Sequence, residues 1–128
     1  MGVYVFRSKH APWIKVGHHR ITSRRPNVYY RVAGRGFHSC LHPRELQGRL
    51  SMDDFELVAW YPHLGRRDER AVHRACVAPP SFGEFHALRN LEPALRCGDA
   101  RGERQHVDDA ARRQAVAWAA RGLHRSDD

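Results

Sequence analysis

The sequence predicts an α+β fold: a small three-stranded antiparallel sheet flanked by helices and followed by a C-terminal helix. Two observations carry this expectation. Short runs rich in β-branched and aromatic residues at 3–6, 13–16 and 55–61 read as strands, the first two joined by a polar turn. Helical spacing of apolar residues then fills the stretches between and after them.

The elements follow in order. Val3-Tyr4-Val5-Phe6 forms the first strand, and Ser8-Lys9-His10-Ala11-Pro12 turns the chain. Trp13-Ile14-Lys15-Val16 returns antiparallel, with Gly17 ending the strand and residues 18–25 forming a polar loop. Pro26 suits the first turn of a helix, where its missing N–H is harmless, and Gly34 and Gly36 stop that helix after residue 33. Residues 38–54 read as mostly irregular. A third strand covers 55–61 and is closed by Pro62; a helix covers 67–77, with Glu69 and His73 stacked four apart and Pro79-Pro80 beyond its end. A short strand or turn surrounds Glu84-Phe85-His86, and a helix follows over 91–96.

By composition, the chain divides into one domain over 1–96, a linker over 97–105 and a final helix over 106–123. Asp108 and Asp109 stand in the first turn of that helix, where its dipole favours acids, and Val107, Ala111, Ala115, Trp118 and Ala119 form an apolar stripe. The stripe would pack on the chain's own sheet or serve a protein partner or a homodimer.

Charge and cysteine content narrow the classes of function. The chain has 128 residues and a formal charge of +8. The asymmetry matters more than the total. Residues 1–50 carry ten Lys or Arg against a single acid, Glu45, whereas residues 93–128 carry seven basic and six acidic side chains. A positive field concentrated in one half suits phosphates. No run of about 18 apolar residues is present, so no membrane helix is expected. Arg7, Lys9 and His10 break any secretory apolar core, so a cytoplasmic protein is expected. Cys40, Cys76 and Cys97 are odd in number, far apart and free of any C-x-x-C pair, which argues against a disulfide framework. His38, Cys40 and His42 are zinc-type ligands, but a structural zinc site needs four, and no second cluster has ligand-like spacing.

Several polar residues fall where this fold would let them converge. Tyr4 and Lys15 face each other across the hairpin, His18 follows Gly17, Arg31 lies on the next helix, and Glu69 lies on the helix after the third strand. A hydroxyl, an amine, an imidazole, a guanidinium and a carboxylate are the groups that metal-assisted phosphodiester cleavage uses.

These residues resemble the GIY-YIG nuclease superfamily, in its branch with lysine in the second motif. Gly2-Val3-Tyr4 is similar to the first motif, and Lys15-Val16-Gly17 to the second. Tyr29-Tyr30-Arg31-Val32 is similar to the helical arginine segment, and Glu69 with His73 to an E-x-x-x-H helix. Gly83-Glu84-Phe85-His86 resembles the segment that often follows. The resemblance spans residues 2 to about 92, elements in order.

The resemblance implies a DNA endonuclease with a one-metal mechanism. Tyr4 would be the general base or orient the attacking water. Lys15, in place of a motif tyrosine, would hold the water or the phosphate, or depress the pKa of Tyr4. His18 would support the nucleophile or touch the phosphate. Arg31 would stabilise the pentavalent phosphate, with Arg25 as the other candidate for that role; the helical context favours Arg31. Glu69 would bind one Mg²⁺ or Mn²⁺. Gly17, His19, Arg24, Arg25 and Arg35 would meet nucleic acid, Gly17 by admitting the substrate backbone. The motif's late asparagine has no secure counterpart; Asn90 is a loose candidate and reads rather as a helix cap. Trp13 is either core or a platform for stacking a base. The competing class is a nucleic-acid-binding module of the same fold without turnover.

Overall fold

Alternation does not mark β1, and the reason is burial on both sides. The strand Gly2–Ser8 (β1) places Tyr4 and Phe6 in an aromatic cluster on one face of the sheet, and Val3 and Val5 in an aliphatic cluster on the other. A strand covered on both faces reads as a continuous apolar run. β2, Trp13–His19, pairs antiparallel with β1, setting Tyr4 opposite Gly17 and Phe6 opposite Lys15. The computed structural model describes residues 2–19, 36–38, 40–105 and the single positions 113, 117 and 121. The helix expected over 26–33, together with Arg24, Arg25, Arg31 and Arg35, lies outside the described residues. So does the helix of 106–123, apart from those single positions.

β3, Phe55–Tyr61, lies on the other side of β1, with a register shift between Val5 and Phe6. Two further strands correct the expected count of three. β4, Ser81–Phe82, and β5, Phe85–Ala87, form a tight hairpin whose second strand pairs with Trp13, Ile14 and Lys15 of β2. The described sheet therefore has five antiparallel strands in the order β3-β1-β2-β5-β4. Strands this short carry no readable alternation, so only the glycine turn between them signals a hairpin.

Two helices cover the aliphatic face. α1, Arg66–Ala75, turns Val72 inward; α2, Leu91–Arg101, turns Ala94 and Gly98 inward. Asp68 joins them at their ends: its carboxylate accepts from the Gly65 N–H at 2.8 Å and from Arg101 Nε at 2.7 Å. Residues 97–101, assigned by composition to a linker, are instead the last turns of α2. Gly98 packs on the Tyr61 ring, and the Tyr61 hydroxyl reaches the Asp99 carboxylate at 2.8 Å. Tertiary anchoring here overrides glycine's poor helix propensity.

On the aromatic face, Phe37, Leu46, Leu50, Met52 and Phe55 complete the cluster around Tyr4 and Phe6. Trp13 belongs to this core: it is buried, and its indole N–H donates to Glu45. Among the described residues, no helix is long and apolar enough to cross a membrane.

Candidate functional site

The site begins with strand geometry. Tyr4 and Lys15 lie on the same face of neighbouring strands, diagonal to each other, with Lys15 Nζ donating to Tyr4 Oη at 3.2 Å. The tyrosine ring fits because its direct partner is glycine. A Cβ on Gly17 would stand 2.3 Å from Tyr4 Oη. The expected role of Gly17 is thereby corrected: the space it leaves on this face is filled by Tyr4. The strand also does not end there, since β2 continues through His18 and His19, which the sequence placed in a loop. His19 is buried, its ring edge-on to Trp60, so it serves the core instead of offering a surface contact to nucleic acid.

Lys15 is 1% exposed, yet it carries a charge. Burial works against the ammonium, but the Tyr4 oxygen and the Glu84 carboxylate beside it outweigh that penalty and hold its pKa above the usual value. Its Nζ donates to Glu84 Oε1 at 2.8 Å and lies over the Phe37 ring, 4.8 Å from the centroid. Burial also raises the Tyr4 pKa, and the opposing pull of Lys15 does not cancel it. Lys15 does pull the Tyr4 pKa down, as expected, but removal of the phenol from water pushes it up more strongly, so the net shift is upward.

Glu84 is set by a two-residue turn. Gly83 has φ +55°, a conformation natural to glycine, and Phe82 pairs with Phe85 on either side. The Glu84 carbonyl accepts from the Val16 N–H at 3.1 Å, docking the turn on the edge of β2. From there its side chain meets the groups of α1. On that helix Glu69, Val72, His73 and Cys76 follow i, i+3, i+4, i+7 spacing, so the face that buries Val72 and Cys76 also brings Glu69 and His73 against the sheet. Each of Glu69, His73 and Glu84 offers one ligand atom within 4.8 Å of the other two, and His73 Nε2 lies 3.5 Å from Glu69 Oε2. Burial pushes the Glu69 pKa up, but His73, Glu84 and the charge of His18 bring it below the ordinary carboxylate value.

Behind this cluster stands a second row. His73 Nδ1 is 2.7 Å from His86 Nε2, and His86 Nδ1 is 3.0 Å from Ser81 Oγ. Burial and the neighbouring His73 hold the His86 pKa down to about 4. The chain matches no family model, no curated protein and no solved structure.

Of the residues expected at the site, Tyr4 and Lys15 touch directly, Glu69 joins them through Glu84, and His18 lies close enough to Glu69 to act on its charge. Arg31 and Arg25 lie outside the described residues. His42 bonds the Cys40 carbonyl and Gln47, each at 2.9 Å, so its ring is engaged locally. Asn90 stands at the start of α2 but does not cap it; its buried amide clamps the backbone of Ala78. The residues that sequence reasoning left without roles are His73, Glu84 and His86. Their signal was present in the E-x-x-x-H spacing and in the Glu84-Phe85-His86 stretch.

Proposed function

We propose that this chain is a GIY-YIG-type, metal-dependent endonuclease that hydrolyses DNA phosphodiester bonds. The observation that carries the reading is the continuous polar chain from Tyr4 through Lys15 and Glu84 to Glu69 and His73, which joins the two motif strands to the helix carboxylate. Two carboxylates and an imidazole this close make a donor set that fits a divalent cation. Glu69, Glu84 and His73 would hold it, and it would supply Lewis-acid stabilisation of the phosphate charge.

The protein's own groups would do the rest. With its pKa raised, the Tyr4 phenol stays protonated and would orient the attacking water through Oη. Lys15 Nζ would fix that hydroxyl and offer positive charge to the phosphate. Arg31, with Arg25 as the competing candidate, would take charge from the pentavalent phosphate. Basic residues 20–35 would bind the DNA backbone.

A second reading, a nucleic-acid-binding module without turnover, draws support from the depth of Lys15 and its engagement with Glu84. Plasmid nicking with Mg²⁺ or Mn²⁺ separates the two. Wild type is expected to nick; Glu69→Ala is expected to abolish nicking, and Tyr4→Phe to lower it on the order of 100-fold. Nicking indifferent to Glu69→Ala would sink the mechanism, and salt-sensitive binding without nicking by the wild type would favour the binding module.

A further inference from the structure

We infer that the Glu69–His73–Glu84 cluster selects a first-row transition divalent ion, of the Mn²⁺ to Zn²⁺ class, over Mg²⁺, with His86 and Ser81 as its positioning residues. The inference rests on the reading of Glu69 as a metal ligand and adds which ion the neighbouring groups prefer. Mg²⁺ takes oxygen donors and would use the two carboxylates, leaving an imidazole nitrogen idle. Transition ions gain from imidazole.

The direction in which His73 points makes the difference. Its Nδ1 is engaged by His86 at 2.7 Å, so Nε2 is the nitrogen turned to Glu69, at 3.5 Å. His86 is 5% exposed and held on its other side by Ser81 Oγ at 3.0 Å. A serine hydroxyl both donates and accepts, so the ladder fits two proton arrangements. In one, Ser81 donates to His86 Nδ1, His86 Nε2–H donates to His73 Nδ1, and His73 Nε2–H donates to Glu69. In the other, His73 Nδ1–H donates to His86 Nε2 and His86 Nδ1–H donates to Ser81, which leaves Nε2 with its lone pair toward the carboxylates. Both arrangements hold the same number of protons and the same net charge. The imidazole can therefore turn from hydrogen-bond donor into ligand with no net loss of protons. The Nε2 proton leaves to Glu69 or water, Nδ1 takes the His86 proton, His86 takes that of Ser81, and the exposed serine regains one from solvent. Outer partners that fix a ligating histidine in this way tune the affinity of a site.

The test is titration calorimetry of the full chain with Zn²⁺, Mn²⁺ and Mg²⁺, with Co²⁺ absorption as a report on nitrogen ligation. The chain carries ten histidines, so the decisive comparison is between variants. His73→Gln is expected to weaken the tightest Zn²⁺ site about 100-fold and Mg²⁺ binding far less, while Ser81→Ala, a change at an exposed position, weakens Zn²⁺ about 10-fold. A Zn²⁺ to Mg²⁺ affinity ratio unmoved by both variants overturns the inference. Undiminished binding of every ion by Glu69→Gln overturns it together with the metal reading of that residue. Tight Zn²⁺ binding that depends on His73, in a protein that nicks no plasmid, upholds the inference and defeats the nuclease reading alone.

Discussion

Lys15 places an ammonium where charges are rarely found, and what surrounds it tells how removal would act. Its partner Glu84 has a side chain 42% exposed, so without Lys15 that carboxylate would be hydrated and not stranded. Lys15→Met is therefore expected to change stability by less than about 2 kcal/mol in urea unfolding, while nicking falls on the order of 100-fold. Loss of both together would make Lys15 a structural residue. At this scale much was legible: the pairing of Tyr4 with Lys15 follows from strand alternation once a hairpin is assumed. The depth of the pair was not, because it is set by Phe37 and the aromatic cluster, which converge from distant parts of the chain. Nor was Glu84, whose place depends on a turn between strands too short to recognise by pattern.

Secondary elements were legible in proportion to their length. The third strand runs over 55–61 as read, and α1 differs from the expected 67–77 by a residue or two at each end. The hairpin of β4 and β5 and the last turns of α2 were not legible, since tertiary contacts create them. The junction of α1 and α2 at Asp68 yields a pH dependence. Hydrogen bonds from the Gly65 N–H and from Arg101 lower the Asp68 pKa. A carboxylate whose pKa falls on folding stabilises the protein above its unfolded pKa, and that stabilisation fades as pH drops through the folded one. Asp68→Asn is expected to cost about 1 kcal/mol near neutral pH. The gap between wild type and variant should close below about pH 4 in thermal unfolding. A gap constant down to about pH 2 would exclude an ionic role for this residue.

For the molecule as a whole, pairing bears on the charge read from the sequence. Arg7 meets Glu56 at 3.0 Å, Arg101 meets Asp68 at 2.7 Å and Arg104 meets Asp99 at 2.7 Å. Arg7 and Arg104 also line a groove of about 740 Å³ beside α2, so much of the positive charge there is already matched by acids. DNA binding is thus expected to depend on residues 20–35. Replacing Arg24 and Arg25 with alanine should lower the magnitude of the log affinity against log salt slope by about 2, and Arg104→Ala should leave the slope unchanged. Equal effects from both changes would mean that the charge acts as a diffuse field.

The bond from Lys15 to Glu84 spans 69 positions of the chain. Glu69 and His73 come together within one helix, but Glu84 joins them only after the β4–β5 hairpin has docked on β2. That docking pairs β5 with a strand far away in the chain, so we expect it late in folding, after the β1–β2 hairpin has formed. An ion that needs all three donors would find nothing to hold in the folding transition state. Saturating Zn²⁺ is therefore expected to slow unfolding in stopped-flow denaturant jumps while the refolding rate stays the same. Faster refolding in Zn²⁺ would mean that the three donors assemble early. With the late order, a bound ion would act as a latch on the finished protein, setting how long each molecule lasts once folded.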